Sequence, residues 1–160
     1  MSSRKKVIVR KFSRDWLSGY VEPQEFVRQG QLELLDPNGK LTAVALREIK
    51  TVCFVREFLP NDRANPERLV RRSFSARPRS AGLWLRLGFR DGDQLEGLAS
   101  NDLTLLDPEG IQFAPPDTRS NTQWIFVPRT ALDSLQVVAV IGSGIRRTHE
   151  NAAQERLFAS

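Results

Sequence analysis

Four short apolar runs separated by strong turn signals lie between residues 83 and 140, and they constrain the fold more than any other feature of the chain. The first two runs alternate apolar and polar side chains on either side of the Asp-Gly-Asp turn at 91–93. The third ends in Asp-Pro-Glu-Gly at 107–110, and the fourth ends in Val-Pro-Arg at 127–129. Period-2 alternation broken by Gly, Pro and Asp is typical of antiparallel strands joined by tight turns. The stretch therefore predicts a small, strongly bent antiparallel sheet.

The N-terminal half carries a degenerate version of the same plan. Alternation predicts strands at 7–12, 16–21, 31–35 and 41–46, followed by a single helical turn at 48–51 and a short strand at 52–55. The turn before the fourth strand is Asp-Pro-Asn-Gly, in which Pro presets φ and Asn-Gly tolerates a positive φ. The whole chain is therefore predicted to be all-β.

The two halves share three short segments in the same order, which predicts an internal duplication. The matched pairs are Leu17–Gly19 with Leu95–Gly97, Leu34–Gly39 with Leu105–Gly110, and Ala45–Val52 with Pro128–Leu135. Chance similarity is the alternative, because Asp-Pro-x-Gly turns are common. Under duplication, each half has four long strands, a one-turn helix carrying an inward apolar residue (Ile49 or Leu132), and a short fifth strand.

This plan resembles the SH3-like small barrels, and among them the Sm-like variety. The resemblance rests on Asp91–Gly97, which has the form D-G-x-x-L-x-G, and on Ile125–Leu135, which has the form I-x-V-P-x-x-A-L-x-x-L. It implies two tandem barrels, at 1–57 and 81–142, with an Arg/Pro-rich connector at 58–80. A tail at 143–160 contains good helix formers and predicts a short C-terminal helix.

Composition disfavours several classes of function. The 160 residues are 40% hydrophobic and 27% charged, and no run reaches the length of apolar residues that a membrane helix needs. The single cysteine, Cys53, indicates a reducing compartment, which we expect to be the bacterial cytoplasm. One Cys and one His (His149) cannot build a zinc site, and no nucleotide-binding loop or nucleophile motif occurs. We therefore expect no enzyme, no metal and no cofactor.

The arginines of the connector form the first candidate site. Arg68 and Arg72 are four residues apart, so one helical turn would place both on the same face, where they could clamp a phosphate. Their R-x-x-x-R spacing before a β-barrel resembles the PilZ family of cyclic di-GMP receptors, with Asp102 and Thr104 on the later motif. Asp107 stands where that motif has glycine, which is a departure from the family pattern. The alternative interpretation of these arginines is a solvated linker with no ligand. The predicted ligand-binding set is Arg68, Arg71, Arg72, Arg77, Arg79, Asp102 and Thr104.

A second candidate surface combines positive charge with aromatic rings, as single-stranded nucleic acid binding requires. Arg10, Lys11 and Arg14 cluster near the first hairpin, and Trp16 and Trp124 are candidate stacking platforms. The same tryptophans could instead fill the ends of a barrel, which is the commoner use of a large aromatic side chain.

The sequence thus predicts a non-catalytic binding module or adaptor, acting as a monomer or homodimer. Its partner is a protein or an RNA, and no membrane is involved. The alternative is a cyclic di-GMP receptor that uses the connector arginines.

Overall fold

The computed structural model describes residues 4–58, 72–117 and 119–142, and this part of the chain is all-β, as predicted. It contains no α-helix, only 3₁₀ turns, and none of its helical segments is long or apolar enough to span a membrane. The strands are β1 (Lys5–Lys11), β2 (Trp16–Val21), β3 (Val27–Arg28), β4 (Gln31–Leu35), β5 (Leu41–Ala45), β6 (Ile49–Val55), β7 (Gly82–Phe89), β8 (Gln94–Ala99), β9 (Gly110–Phe113), β10 (Thr122–Pro128) and β11 (Leu132–Ile141). The 3₁₀ turns span Leu46–Glu48, Leu103–Leu106 and Arg129–Ala131.

These strands form two antiparallel sheets. The larger has eight strands in the order β3-β4-β2-β1-β6-β10-β9, with β5 also paired to β4. The smaller has three strands in the order β11-β7-β8. A single bridge between Leu98 and Ala114 connects β8 to the end of β9. The order of paired neighbours is therefore the same in the two halves: β6-β1-β2-β4-β5 in the first and β11-β7-β8-β9-β10 in the second.

The matching order extends to the hydrogen bonds, so we name the two halves copy 1 (β1 to β6) and copy 2 (β7 to β11). Gly19 faces Val7 in copy 1, and Gly97 faces Leu85 in copy 2. Directly after the first strand of each copy, the amide of Phe12 donates to the Glu48 carbonyl and the amide of Arg90 donates to the Ala131 carbonyl, both at 3.0 Å.

The other end of each copy matches as well. The amide of Leu46 donates to the Gly30 carbonyl at 2.9 Å, and the amide of Arg129 donates to the Glu109 carbonyl at 3.1 Å. Each copy also has a 3₁₀ turn of three residues immediately before its last strand. Equivalent backbone hydrogen bonds thus occur at both ends of the two copies, so the two halves repeat one strand arrangement.

One of the three sequence matches is nevertheless wrong. The turn at 36–39 joins β4 to β5, whereas 105–110 runs from a 3₁₀ turn into the start of β9. The structural equivalent of Leu34 is Phe113, because each packs against the glycine of the second strand in its copy, Gly19 or Gly97. The error arose because Asp-Pro-x-Gly favours a turn wherever it occurs and carries no information about which strands the turn joins.

The prediction that each half closes into its own barrel is not confirmed, because the described strands form no closed barrel. Instead β6 of copy 1 pairs with β10 of copy 2, with Cys53 opposite Ile125 and Val52 opposite Phe126. We call this junction the seam. All seven side chains of β6 are buried, and a strand that is apolar on both faces requires cover on both sides. At the seam, one face of β6 packs into the core cluster of copy 1 and the other face packs into the core cluster of copy 2.

The hydrophobic core is consequently shared between the copies. Ile8 and Cys53 of copy 1 belong to the cluster of buried side chains that fills copy 2. In the other direction, Phe126 of copy 2 belongs to the cluster that fills copy 1, where its ring meets Phe26 edge-on at 5.1 Å. Neither copy therefore buries its own apolar surface alone.

The last part of the predicted connector lies against copy 2. The amide of Glu96 donates to the Arg72 carbonyl at 2.7 Å, and the Glu96 carboxylate accepts the amide of Phe74 at 2.9 Å. The Phe74 ring contacts Trp84 edge-on at 5.7 Å. Most of the connector before Arg72, and the tail for which a helix was predicted (143–160), lie outside the described residues.

Candidate functional site

The seam places the first hairpin turns of the two copies side by side, and a cleft of about 550 Å³ lies between them. We call it the seam cleft. It is lined by Arg10, Lys11, Phe12, Arg14, Trp16, Lys50, Arg72, Asp91 and Asp93. Four of the five residues predicted as a nucleic-acid surface are therefore brought together here, with one of the predicted connector arginines.

Arg10 and Lys50 form the floor of the cleft. Arg10 is 7% exposed and Lys50 is 4% exposed, although charged side chains are rarely buried unless they are paired. Arg10 lies opposite Trp16 on one side and Thr51 on the other, next to a bulge whose extra residue is Lys50 of β6. Alternation along β1 places Arg10 on the same face as Ile8, which belongs to the core cluster of copy 2.

Lys50 joins the copies electrostatically. Its Nζ donates to Oδ2 of Asp91 at 2.7 Å and also donates to the Asp93 carboxylate. It lies 5.3 Å from the centre of the Phe89 ring. Both aspartates belong to the β7–β8 turn, so a lysine of copy 1 is held by the hairpin turn of copy 2.

Two pKa values are altered in the cleft. Burial lowers the pKa of the Arg10 guanidinium, and the nearby Arg72 adds to this effect, while Cys53, Asp93 and Asp91 oppose it. For Asp91, partial burial acts to raise the pKa, but the hydrogen bonds from Lys50 and from the Asp93 amide, with the Lys50 charge, outweigh it and lower the pKa. Asp91 is accordingly a carboxylate at neutral pH, and Arg10 remains a cation because its ordinary pKa is so high.

The cleft carries an excess of positive charge. Among the described residues that line it, five side chains are cationic and two are carboxylates. Lys11 and Arg14 lie at the rim beside Trp16, where Arg14 adopts a positive φ of 74° in the hairpin turn. Nearby, the Arg90 guanidinium stacks 4.0 Å from the centre of the Phe12 ring. Cations beside aromatic faces can bind a phosphate and a stacked base together.

A small chamber extends from the floor of the cleft toward the seam. It has a volume of about 40 Å³ and is lined in part by Cys53, Phe89 and Ile125. Burial raises the pKa of the Cys53 thiol to about 11. Such a thiol is almost entirely protonated at neutral pH, which is typical of a cysteine buried in a core.

The remaining candidate residues lie elsewhere. Asp102 and Thr104 lie on a different groove of about 690 Å³, together with Trp124, which is 50% exposed. The Asp102 carboxylate accepts the Thr104 hydroxyl and, at 2.9 Å, the Thr104 amide. The hydroxyl and then the amide lower the pKa of Asp102. Asp102 is thereby used as the cap of the 3₁₀ turn that follows it.

The groove at Trp124 has the opposite electrostatic character. Asp102, Asp107 and Glu109 line it, and Lys5 is the cation among its lining residues. Arg72, which lines the seam cleft, is not among them. The cyclic di-GMP hypothesis requires Arg72, Asp102 and Thr104 in one pocket. The structure places Arg72 in a different pocket from Asp102 and Thr104.

Of the other predicted connector arginines, the structure describes two. Arg77 and Arg79 line a cavity of about 250 Å³ beside Leu98 and the Pro115–Pro116 pair. Arg68 and Arg71 lie outside the described residues. Within the described residues, no cluster of three His, Cys, Asp or Glu side chains could hold a metal ion.

Sequence reasoning missed Lys50, Asp91 and Asp93 as members of a site, because the aspartates were assigned only to a turn. The available signal was the strand I-K-T-V-C-F-V at 49–55, in which a lysine interrupts a run that is otherwise apolar or small. A charged residue in a strand buried on both faces requires a partner from another element. Identifying Asp91 and Asp93 as that partner requires knowledge of the seam.

Comparison with known proteins places the chain in a family without assigning an activity. No curated protein and no solved structure matches it. A family of unknown function, DUF6982, matches residues 3–139. The match covers most of the chain and includes both copies and the segment between them. The chain therefore belongs to the DUF6982 family, whose function is unknown.

Proposed function

We propose that the protein is a non-catalytic binding module that holds a single-stranded RNA segment in the seam cleft. The observation that carries the proposal is the excess of cationic side chains beside Trp16. Phosphates of a nucleic acid chain would contact Lys11 and Arg14 at the rim, and an unstacked base would lie on the exposed part of the Trp16 ring. Aromatic stacking combined with basic side chains gives affinity for single strands with little dependence on sequence.

The two copies are proposed to descend from one SH3-like, Sm-like unit. Three features support this descent: the common strand order, the 3₁₀ turn before the last strand, and the matching bulges at Lys50 of β6 and Asp133 of β11. The proposed setting is the bacterial cytoplasm, in agreement with a lone, buried cysteine that needs no oxidising compartment.

A protein partner is the alternative occupant. The acidic groove at Trp124, with Leu103 and Leu106 largely exposed on the neighbouring 3₁₀ turn, would suit a basic and apolar peptide. We favour RNA because the seam cleft combines charge excess, aromatic rings and depth in one place. Cyclic di-GMP is a weaker candidate, since Asp102 and Thr104 are occupied with each other and lie away from Arg72.

The direct test is fluorescence anisotropy with a short labelled single-stranded RNA, titrated at several salt concentrations. We expect Lys11→Gln and Arg14→Gln each to weaken binding and to reduce the slope of log K against log salt by about 0.7, the value for one phosphate contact on a single strand. Two controls remove the same charge elsewhere: Lys40→Gln in the β4–β5 turn and Lys5→Gln at the Trp124 groove. Both should bind as the unmodified protein does.

The proposal fails if RNA binding is absent or if all four variants bind equally. Retention of one stoichiometric protein from cell extract, unaffected by nuclease and lost in Trp124→Ala, would assign the function to a protein partner instead. Heat on titration with cyclic di-GMP, lost in Arg72→Gln, would assign it to the cyclic dinucleotide.

A further inference from the structure

The seam pairs the last strand of one copy with the second-to-last strand of the other. The equivalent strands of the opposite copies do not form such a pair within the described residues. β6 is the last strand of copy 1, and β10 is the strand before the last of copy 2. The equivalent strands of the opposite copies are β11 and β5. Each of these has one partner in the described part of the chain, β7 for β11 and β4 for β5, and the two are not paired with each other.

Burial shows how much the second partner matters. All seven side chains of β6 are buried, whereas in its equivalent, β11, every residue from Asp133 to Val137 is exposed. Val137 is 47% exposed and Leu135 is 36% exposed, although both are apolar. β5 shows the same contrast with β10, since Ala43 is exposed whereas the residue at the same position of β10, Phe126, is 4% exposed. The described part of one chain thus leaves exposed the strand positions that are buried at the seam.

The β11 edge also lacks the features that usually protect an exposed strand. Edge strands commonly carry lysine, proline or several charges, which prevent pairing with another chain. β11 reads LDSLQVVAVI, with Asp133 as its one charged residue and no proline or lysine. A ten-residue strand of this composition is suited to pairing.

The seam specifies the register in which β11 and β5 would pair. In the seam, Val52 is opposite Phe126 and Phe54 is opposite Trp124. Val52 and Phe54 correspond to Leu135 and Val137, because both pairs face equivalent residues of the first strand in their copies, Val9 and Val7 or Leu87 and Leu85.

The β5 side of the register follows in the same way. Phe126 and Trp124 correspond to Ala43 and Leu41, according to their pairing with β9 and β4. The transferred register therefore places Leu135 opposite Ala43, and Val137 opposite Leu41. Three large apolar side chains that are exposed in the monomer would thereby meet at one junction.

We propose that β11 of one chain pairs with β5 of a second copy of this chain, antiparallel and in the seam register. The occupant is a second copy because the chain itself carries both halves of the junction and already forms one such junction internally. A two-fold axis relating copy 1 to copy 2 would have paired β11 with β5 within the chain, because it would repeat the β6–β10 pair. These two strands are not paired within the chain, so copy 1 and copy 2 are related head-to-tail. Repeating this relation from chain to chain builds a ring or an open filament.

The test measures the mass of the full chain in solution across a range of concentrations, by analytical ultracentrifugation or native mass spectrometry. We expect assemblies of more than one chain. Val137→Lys and Leu41→Lys should each lower the mass to that of a single chain, because a lysine in either strand would face an apolar partner. Both positions are exposed, so the fold should be retained, as far-UV circular dichroism and thermal unfolding will report.

Val140→Lys is the matched control. Val140 lies on the same strand and is 58% exposed, but it is beyond the last pair that the seam register supplies. This variant should assemble as the unmodified chain does.

Mixing the two disrupting variants gives the sharpest result. The Leu41→Lys chain keeps an intact β11 and the Val137→Lys chain keeps an intact β5, so an equimolar mixture should form a dimer containing one chain of each. The proposal is overturned by an unmodified chain that is monomeric at every concentration, or by an assembly that survives Val137→Lys. It is also overturned if Leu41→Lys has no effect, or if the mixture remains monomeric, since β11 would then pair with something other than β5.

Discussion

Cys53 of β6 lies directly opposite Ile125 of β10, and this pair joins the two copies of the fold. Both side chains belong to the core cluster that also contains Leu85 and Phe113 of copy 2. The last strand of copy 1 therefore completes the interior of copy 2. Lys50, three residues earlier, meets the aspartates of the opposite hairpin turn. One junction thus supplies core packing, the charge arrangement of the cleft and the shape of the proposed binding site.

The thiol of Cys53 provides a probe of whether the seam opens. Because burial raises its pKa to about 11, about one thiol in a thousand is ionised near pH 8, and a thiol-disulfide reagent should react slowly with the native protein. In denaturant, where a cysteine thiol has a pKa of about 8.5, labelling should be rapid and stoichiometric. Fast labelling of the native protein at neutral pH would indicate that the seam opens readily.

Gly97 is predicted to be intolerant of any side chain. A Cβ at this position would overlap the ring of Phe113, which is fully buried. Gly97→Ala should lower the free energy of unfolding by about 1–3 kcal/mol, the usual cost of overpacking a core. Urea denaturation measures this change.

The equivalent position gives a second measurement of the duplication. At Gly19 a Cβ would lie 2.6 Å from the Leu35 carbonyl oxygen, so Gly19→Ala should destabilise the protein comparably. Gly142→Ala is the control, because a Cβ there meets no atom within 4 Å. Equal stability of all three variants would contradict the packing described for both copies.

The ion pairs of Lys50 predict a stability that depends on pH in acid. The pKa of Asp91 is lower in the folded protein than its ordinary value, so the unfolded chain binds more protons as the pH falls. The stabilisation is therefore complete above the ordinary carboxyl pKa of about 4 and is lost as the pH falls through the folded value. In Lys50→Met, the free energy of unfolding should fall less steeply over this range.

Lys40→Met, which removes an exposed lysine outside the cleft, should keep the pH slope of the unmodified protein. Denaturant unfolding at a series of pH values measures both variants. Identical slopes for Lys50→Met and the unmodified chain would mean that Lys50 does not hold Asp91 in its charged form.

The strands and the duplication could be predicted from the sequence because both are written in local patterns. Alternation located β1, β2, β4 and β5 to within a residue or two, and the repeats at Leu17–Gly19 and Ala45–Val52 identified equivalent positions. These signals depend on neighbours along the chain, where period-2 side-chain placement and turn chemistry act directly.

The seam could not be predicted in the same way. Whether β6 pairs within its own copy or with β10 depends on residues about 70 positions away, from Thr122 to Phe126, and alternation does not specify a partner strand. The site was predicted in part for the same reason. Arg10, Lys11, Arg14 and Trp16 are close in sequence and were found together, whereas Lys50, Asp91 and Asp93 join them only through the seam.

Amide hydrogen exchange of β6 tests the seam most directly. Successive amides of a strand point alternately to its two neighbours, and Val52, Cys53 and Phe54 lie between β1 and β10. We expect all three amides to exchange slowly, at rates that reflect unfolding of the whole domain. If β6 did not pair with β10 and lay at the edge of copy 1, it would lack its second neighbour, and slow and fast amides would alternate along these three residues.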